Sequence, residues 1–467
     1  MTARRNTSGS ELRDVRLNWP GRKALAPLAP ATRGAGPACT PLMTLPADTA
    51  RPTTARLLCA DAATGLDHLL ATAGPGSVDL VFIDPPFGSE ANYARRRSIA
   101  SAGGRLDFEL PAYNDVDGGD LAGYLELLLP VLQRCHALLS ERGSLYLHLD
   151  WRRGPYARVL LDEIFGADAL VNEIIWAYGL GGSTRRRLQR KHDLIYFYAR
   201  DPARHYFDAP HEAATSSMLA GRPKIATDTW ETDTTDDDAT LLRDWPDELV
   251  RKTLSNRDPE RTGYPTQKPL ALLTRIVRAS LPAGGLALDP MAGSGTLAVA
   301  VAALGGDSVS VDRSAVALAV ARSRLSAAGA DVHLDAIGDS EAPWRLWPGA
   351  APCTWLVGSD GRCSAHLASL RLPWEDTSVR ATAEVRSRLC ALADVDGAEL
   401  LDAWGIATAD FGGRVTSVAS WDGAAARDRG PVPRRLGVPA GGPDPNSMVW
   451  WACDVLGRLW RSPLRRG

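Results

Sequence analysis

The sequence predicts an α/β fold built on a mostly parallel sheet, followed by a small β-rich C-terminal domain. Short apolar strands that end in an acid alternate with amphipathic helices from residue 55 to about 327. A glycine-rich turn, MAGSGT, joins one of these strands to a helix. Beyond about residue 330 the alternation stops, and nine of the fourteen tryptophans fall between Trp344 and Trp460.

ARLLCAD (55–61) reads as the first strand, and VDLVFI (78–83) as the second, bounded on its left by PGS. That strand must stop at Asp84, because Pro85 and Pro86 have no N–H to give to a sheet. LAGYLELLLPVLQRCHALLSERG (121–143) has helical periodicity closed by a glycine, and SLYLHLD (144–150) is the next strand. ARVLLDEIFG (157–166) is again a helix ending in glycine. NEIIWAY (172–178) and HDLIYFYAR (192–200) are aromatic-rich strands joined by GLGGSTRRRLQRK. Residues 201–262 lose periodicity and contain the acidic run TDTTDDD (232–238), expected to face solvent. Periodicity returns with the helix 268–281, the strand 285–290, the helix 297–304, the strand 308–313 and the helix 314–329. RVTSVASW, SMVWWAC and GRLWR read as short strands of the C-terminal domain, with most of its tryptophans in the core.

The chain has 467 residues, enough for two or three domains with cores of their own, and a formal charge of −2. A polyanionic partner would therefore have to meet a local cluster of positive charge. Seven scattered cysteines without any C-x-x-C pair argue for a reducing compartment and against a disulfide framework or a structural zinc site. No metal is expected. No apolar run approaches the length of a membrane span, and the N-terminus has no apolar signal core. Residues 1–52 are rich in Arg, Ala, Pro and Thr and read as a largely disordered arm, with a short ordered piece around VRLNWPG. A solvated tail, a transit peptide and a nucleic-acid tether all fit such an arm. The expected location is the cytoplasm, at the nucleoid.

LDPMAGSGT (288–296) is a strand, an acid and a glycine turn that opens a helix. Gly293 and Gly295 allow backbone N–H groups to approach a ligand closely. Asp312, at the end of the following strand, stands where a carboxylate can accept hydrogen bonds from the ribose hydroxyls of a nucleoside cofactor. No Lys follows the second glycine, which excludes a P-loop. Asp289 would repel a pyrophosphate and welcome the cation of S-adenosyl-L-methionine.

The stretch Asp84-Pro85-Pro86-Phe87 suits chemistry on an exocyclic amine. The lone pair of such an amine is delocalised into its ring. It can localise if the Asp84 carboxylate and the Pro85 carbonyl accept the two N–H groups, with the carbonyl aimed by the two rigid prolines. Phe87 can stack on a base drawn out of a duplex.

With these two motifs and the blocks AYND (112–115), SLYLHLDWR (144–152), VNEIIWAY (171–178), RKHDLIYFYAR (190–200) and YPTQKPLALL (264–273), the chain resembles the amino-group DNA methyltransferases of the β class. In these the order is permuted, so that the catalytic motif precedes the cofactor motif. The resemblance covers roughly residues 55–327 and implies a seven-stranded Rossmann-like methyltransferase sheet in residues 53–328. It implies Asp84, Pro85, Pro86 and Phe87 as the catalytic tetrad. Around S-adenosyl-L-methionine it implies Asp289, Pro290, Gly293, Gly295, Thr296 and Asp312, with Thr266 and Lys268 near the methionine carboxylate and Asp61 near the adenine edge. Met291 departs from the family, which usually has phenylalanine there; methionine is apolar and polarizable enough to line the same pocket.

A tetrad that begins with Asp goes mainly with the 6-amino group of adenine, and the 4-amino group of cytosine is the alternative. Double-stranded DNA is the expected partner, met by Arg185, Arg186, Arg187, Arg190, Lys191 and His192 in the loop 183–192. Residues 201–262 are expected to carry sequence recognition. Residues 329–467, the Trp-rich domain, are similar to C-terminal extensions of long relatives. A homodimer and a separately encoded restriction or defence partner are compatible with this reading. The sequence also leaves open a catalytically silent DNA-binding subunit of the same fold, and an enzyme acting on RNA.

Overall fold

The computed structural model describes residues 16–19, 22, 28, 34–47, 53–88, 92–101, 104–115, 120–177, 185–213, 223–230, 254, 258–338, 345–346, 353–357, 363–367, 379–409, 415–422, 428–429, 432–438, 448–454, 458–463 and 465–466. In chain order these form β1 (Cys39–Leu45), β2 (Thr54–Cys59), α1 (Ala62–Thr72), β3 (Val78–Ile83), β4 (Asn92–Ser101), β5 (Gly104–Asn114), α2 (Leu121–Leu138), β6 (Leu139–Leu149), α3 (Gly154–Phe165), β7 (Leu170–Ala177) and β8 (His192–Ala199). Three short strands, β9 (His211–Ala213), β10 (Pro223–Ile225) and β11 (Thr229–Trp230), lead to α4 (Leu270–Ser280), β12 (Leu286–Asp289), α5 (Thr296–Ala303), β13 (Asp307–Asp312), α6 (Ala315–Ala327) and β14 (Asp331–Ile337). The C-terminal part adds β15 (Arg345–Leu346), β16 (Cys353–Val357), β17 (Cys363–Leu367), α7 (Ala383–Asp396), β18 (Leu401–Ala409), β19 (Val415–Asp422), β20 (Asp428–Arg429), β21 (Arg435–Val438), β22 (Met448–Asp454), β23 (Leu459–Pro463) and β24 (Arg465–Arg466).

Seven strands in the order β7-β8-β6-β3-β12-β13-β2 make the catalytic sheet. β6, β3, β12, β13 and β2 run parallel to one another, and β8 runs antiparallel to both β6 and β7. Alternation along β3 shows why both faces must be covered. Val81 and Ile83 face the core shared with α1, α2 and α3, while Leu80 and Phe82 face the core shared with α4 and α5. Each such side chain contributes about 1.5–3 kcal/mol on burial.

The expected break near residue 328 is not a break in the sheet. β14 lies parallel to β2, β1 pairs antiparallel with β14, and β19 pairs parallel with β1. Through β19-β18-β22-β23-β15 the same sheet reaches fifteen strands among the described residues. A free edge at β14 would offer unpaired N–H and C=O groups to other chains, and the pairing removes it. β1 is an ordered strand within residues 1–52, read as largely disordered, and its Leu42, Met43 and Leu45 are buried. The short piece around VRLNWPG does pack: Trp19 joins the core against α2, and Arg22 forms an ion pair with Glu163 of α3 at 2.5 Å. Part of the expected helix 139–143 is the irregular start of β6, where Leu139 opposes Val78 and Ser144 opposes Leu80. α7 adds a helix to a C-terminal part expected to be β-type. Trp404, Trp450, Trp451 and Trp460 are buried, as core residues should be. No helix among the described residues is long and apolar enough to cross a membrane.

Candidate active site

Parallel strands present their carboxyl ends on one side of the sheet, and ligands of open α/β sheets bind there. Asp289 and Asp312 end β12 and β13, Asp84 directly follows β3, and Asp61 lies two residues beyond β2. The sequence thus delivers four carboxyl groups from four neighbouring strands to one rim. Two cavities open along it, of about 370 Å³ and about 250 Å³, and Asp84, Tyr113, Thr266, Gln267 and Lys268 line both.

The larger cavity has the glycine turn at its edge. Gly293 (φ 51°) and Gly295 (φ 74°) lie in the left-handed region, and a Cβ on Gly295 would stand 2.7 Å from Ala321 Cβ. Close packing of the turn on α6 therefore requires glycine there. Asp312 accepts N–H bonds from Gly293 and Ser314, both at 2.8 Å, so it fastens the turn as well as facing the cavity. Asp289 accepts from Met291 N at 3.0 Å. Burial pushes the Asp289 carboxyl up to about 8 and that of Asp312 to about 6. Burial thus favours the protonated Asp289 carboxyl, and a cation in the cavity would favour its ionised form.

Pro290, Met291 and Thr296 also line this cavity. The Thr296 hydroxyl donates to the Lys268 carbonyl at 3.3 Å, which ties the turn to the segment before α4. Asp61 lines the cavity too, and caps α1 through the N–H of Thr64 at 3.0 Å. Thr266 has φ 54°, a strained conformation for a β-branched residue, and its Oγ1 lies 2.9 Å from the Tyr113 hydroxyl. Lys268, expected beside a ligand carboxylate, lines the larger cavity and places its ammonium 2.5 Å from Asp84 Oδ2.

The smaller cavity is aromatic. Phe87, Trp176, Tyr93 and Tyr113 line it, and the two tyrosines stack at 4.9 Å. Tyr93 and Tyr113 face each other across the open end of the β4–β5 hairpin, which the sequence reading did not find. Asp84 is held from both sides, by Lys268 and by His148, whose Nδ1 lies 2.7 Å from Oδ1. Burial raises the Asp84 carboxyl, but the Lys268 ammonium and His148 together outweigh it and keep the carboxyl below its usual 3.8. His148 and Asp193 were also missed. Both lie inside quoted blocks, SLYLHLDWR and RKHDLIYFYAR, and a histidine in an otherwise apolar strand was the available signal.

Arg185, Arg186, Arg187 and Arg190 are exposed, and Lys191 and His192 are half-buried. The Arg190 guanidinium stacks 3.3 Å from the ring of Trp151, which follows β6 on the same rim. Positions 183 and 184 of that loop lie outside the described residues. So do the acidic run 232–238 and much of the expected recognition segment 201–262. Among the described residues no group of three or more His, Cys, Asp or Glu stands where it could hold a metal ion.

Residues 78–323 match the family described as DNA methylase. The chain is 26% identical over 214 residues to the type II methyltransferase M.ScaI of Streptomyces caespitosus, covering 42% of this chain and 65% of that one. It is 25% identical over 277 residues to the type II methyltransferase M.HpaI of Haemophilus parainfluenzae, covering 58% and 74%. It is 27% identical over 243 residues to the DNA adenine methyltransferase YhdJ of Escherichia coli (strain K12), covering 48% and 69%. The chain thus spans just under two thirds of M.ScaI and rather more of the other two.

Proposed function

The chain belongs to the DNA methylase family, and on that premise we propose that it transfers a methyl group from S-adenosyl-L-methionine to the 6-amino group of adenine in double-stranded DNA. The observation that carries the proposal is the position of Asp84, on the wall shared by an acidic cavity floored by a glycine turn and an aromatic cavity. The larger cavity fits the donor by its chemistry. Buried carboxyl groups favour a sulfonium cation, and glycines permit close backbone approach. Asp289, Gly293, Thr296 and Asp312 would hold it, with Asp61 and Thr266 at the margins. When bound, the donor supplies an electrophilic methyl, whose transfer forms an N–C bond, breaks an S–C bond and releases one amine proton.

The rest is done by the chain. Phe87, Trp176 and the stacked tyrosines offer ring faces and edges to a base turned out of the duplex, replacing part of the lost stacking. Asp84 accepts an N–H of its amine, and the Pro85 carbonyl is the proposed second acceptor, so that the nitrogen lone pair localises. Lys268 holds Asp84 ionised until an amine shares the carboxylate. Adenine is preferred because the tetrad begins with Asp and because YhdJ is an adenine enzyme; the 4-amino group of cytosine is the second reading.

The test is transfer of labelled methyl to DNA, followed by digestion to nucleosides. Label in 6-methyl-2′-deoxyadenosine supports the proposal, label in 4-methyl-2′-deoxycytidine replaces the base, and label in RNA alone overturns it. DNA contact is assigned to the exposed arginines of the loop before β8. Changing Arg185, Arg186 and Arg187 together to Gln is expected to weaken binding evenly across sequences. It should also lower the slope of log affinity against log salt by up to about three. An unchanged slope in fluorescence titrations would remove this loop from the interface. Residues 201–262 remain the proposed recognition segment, and the nucleoid the proposed location. Association into a homodimer and with a restriction partner is part of the same proposal, read from molar mass and co-purification.

A further inference from the structure

The reading above gives His148 no task, although its side chain is only 1% exposed and lies against Asp84. It stands on β6 between two carboxylates. Nδ1 is 2.7 Å from Asp84 Oδ1, and Nε2 is 3.4 Å from Asp193 Oδ2 on β8. The rings of Phe87 and Trp176 meet it edge-on at 5.4 Å each, leaving no room for it to turn away. Lys268 is paired with Asp84 on the other side, and Asp115 and Arg261 line the same cavity.

A neutral imidazole carries one N–H, so one of the two carboxylates would face a bare nitrogen lone pair. An imidazolium gives Asp84 an N–H and sets a positive charge 3.4 Å from Asp193 Oδ2. It also balances the cluster, with Asp84, Asp115 and Asp193 negative and Lys268, Arg261 and His148 positive. A neutral ring would leave a surplus negative charge in a largely buried place, which is costly.

We propose that His148 is a positioning residue, held as an imidazolium between Asp84 and Asp193, that fixes the plane of the Asp84 carboxylate and keeps it ionised to accept an amine N–H. The inference rests on the function proposed above. An imidazolium cannot take up a further proton, so His148 is not the base for the proton that the amine loses. Burial pulls the imidazole down, but hydrogen bonds to Asp193 and Asp84 raise it above its usual 6.5. A group raised in the folded state stabilises the fold fully below pH 6.5. That contribution is lost as pH rises through its folded value.

Imidazole nitrogen shifts in protein labelled with ¹⁵N-histidine, assigned through the backbone, test the protonation without substrate or turnover. A failure there is distinguishable from a failure of the methyl-transfer reading. An imidazolium pattern at pH 7 supports the proposal, and a neutral tautomer overturns it. The second arm is His148→Gln, whose amide can donate to Asp84 but carries no charge. The acid limb of its single-turnover rate is expected to move up by about one pH unit, because Asp84 has lost a neighbouring cation. Donor affinity by calorimetry should stay within about twofold, since His148 does not line the larger cavity. An acid limb that does not move would overturn the proposal; if the variant does not fold, the nitrogen shifts of the unaltered protein decide alone.

Discussion

Replacing Asp84 with Ala is expected to lower methyl transfer by at least 10²–10³-fold, on the order seen when one preorganised polar partner of a transition state is removed. The geometry makes the effect specific. Asp84 lies on the wall common to both cavities, within reach of a donor on one side and a base on the other. Without it an amine would find its lone pair still delocalised into the ring. Donor binding should persist, because Asp289, Gly293 and Asp312 are untouched. The variant also leaves Lys268 and His148 without the carboxylate between them, so repulsion should weaken binding of a cationic donor somewhat. Asp84→Asn keeps the shape, removes the charge and should fall between the two. Single-turnover rates at saturating donor, with calorimetry for affinity, separate these effects. An Asp84→Ala protein that transfers methyl within about tenfold of the unaltered rate would sink the assignment of Asp84 as amine acceptor.

The catalytic sheet was legible because buried parallel strands read as apolar runs, and β3, β12 and β13 end at or just before an acid. Asp84 and Asp289 announced themselves through their prolines and glycines. His148 did not, because one histidine in an apolar strand has no periodic signature, and its two carboxylate partners lie on other strands. Lys268 was legible as a site residue but its contact with Asp84 was not, since a flexible stem of four carbons lets one backbone position serve either cavity. The β4–β5 hairpin was invisible for a different reason. ARRRSIAS looks like a charged surface, yet Arg95 and Arg97 are buried. Continuation of the sheet through β14, β1 and β19 depends on pairing between distant segments, and edge pairing leaves little mark on either partner's sequence.

Those buried arginines give the C-terminal part a task that can be measured. Arg95 and Arg97 lie two residues apart on β4 and so share a face. Both reach Asp402 on β18: Arg97 in direct ion-pair contact, Arg95 at 4.0 Å. Arg95 also donates to the Thr262 carbonyl at 3.3 Å, just before the strained Thr266 and Lys268. Burial, with Arg97 beside it, pulls the Arg95 guanidinium down to about 9, so this is an expensive place for charge. Asp402→Ala removes the carboxylate that the two cations share and is expected to cost about 3–5 kcal/mol. That is a large part of the roughly 5–15 kcal/mol by which a domain is stable. By contrast, Asp107→Ala breaks an exposed pair with Arg105 and should cost about 0–1 kcal/mol. Urea midpoints compare the two. Arg97→Ala combined with Asp402→Ala should cost less than the sum of the single changes, because the second change removes a charge the first left uncompensated. The hairpin ends in the stacked Tyr93 and Tyr113 of the aromatic cavity, so at temperatures where Asp402→Ala still folds, base binding should weaken more than donor binding. Equal urea midpoints for Asp402→Ala and Asp107→Ala would show that this cluster does not hold the hairpin. The C-terminal strands would then need another reason to be joined to the catalytic sheet.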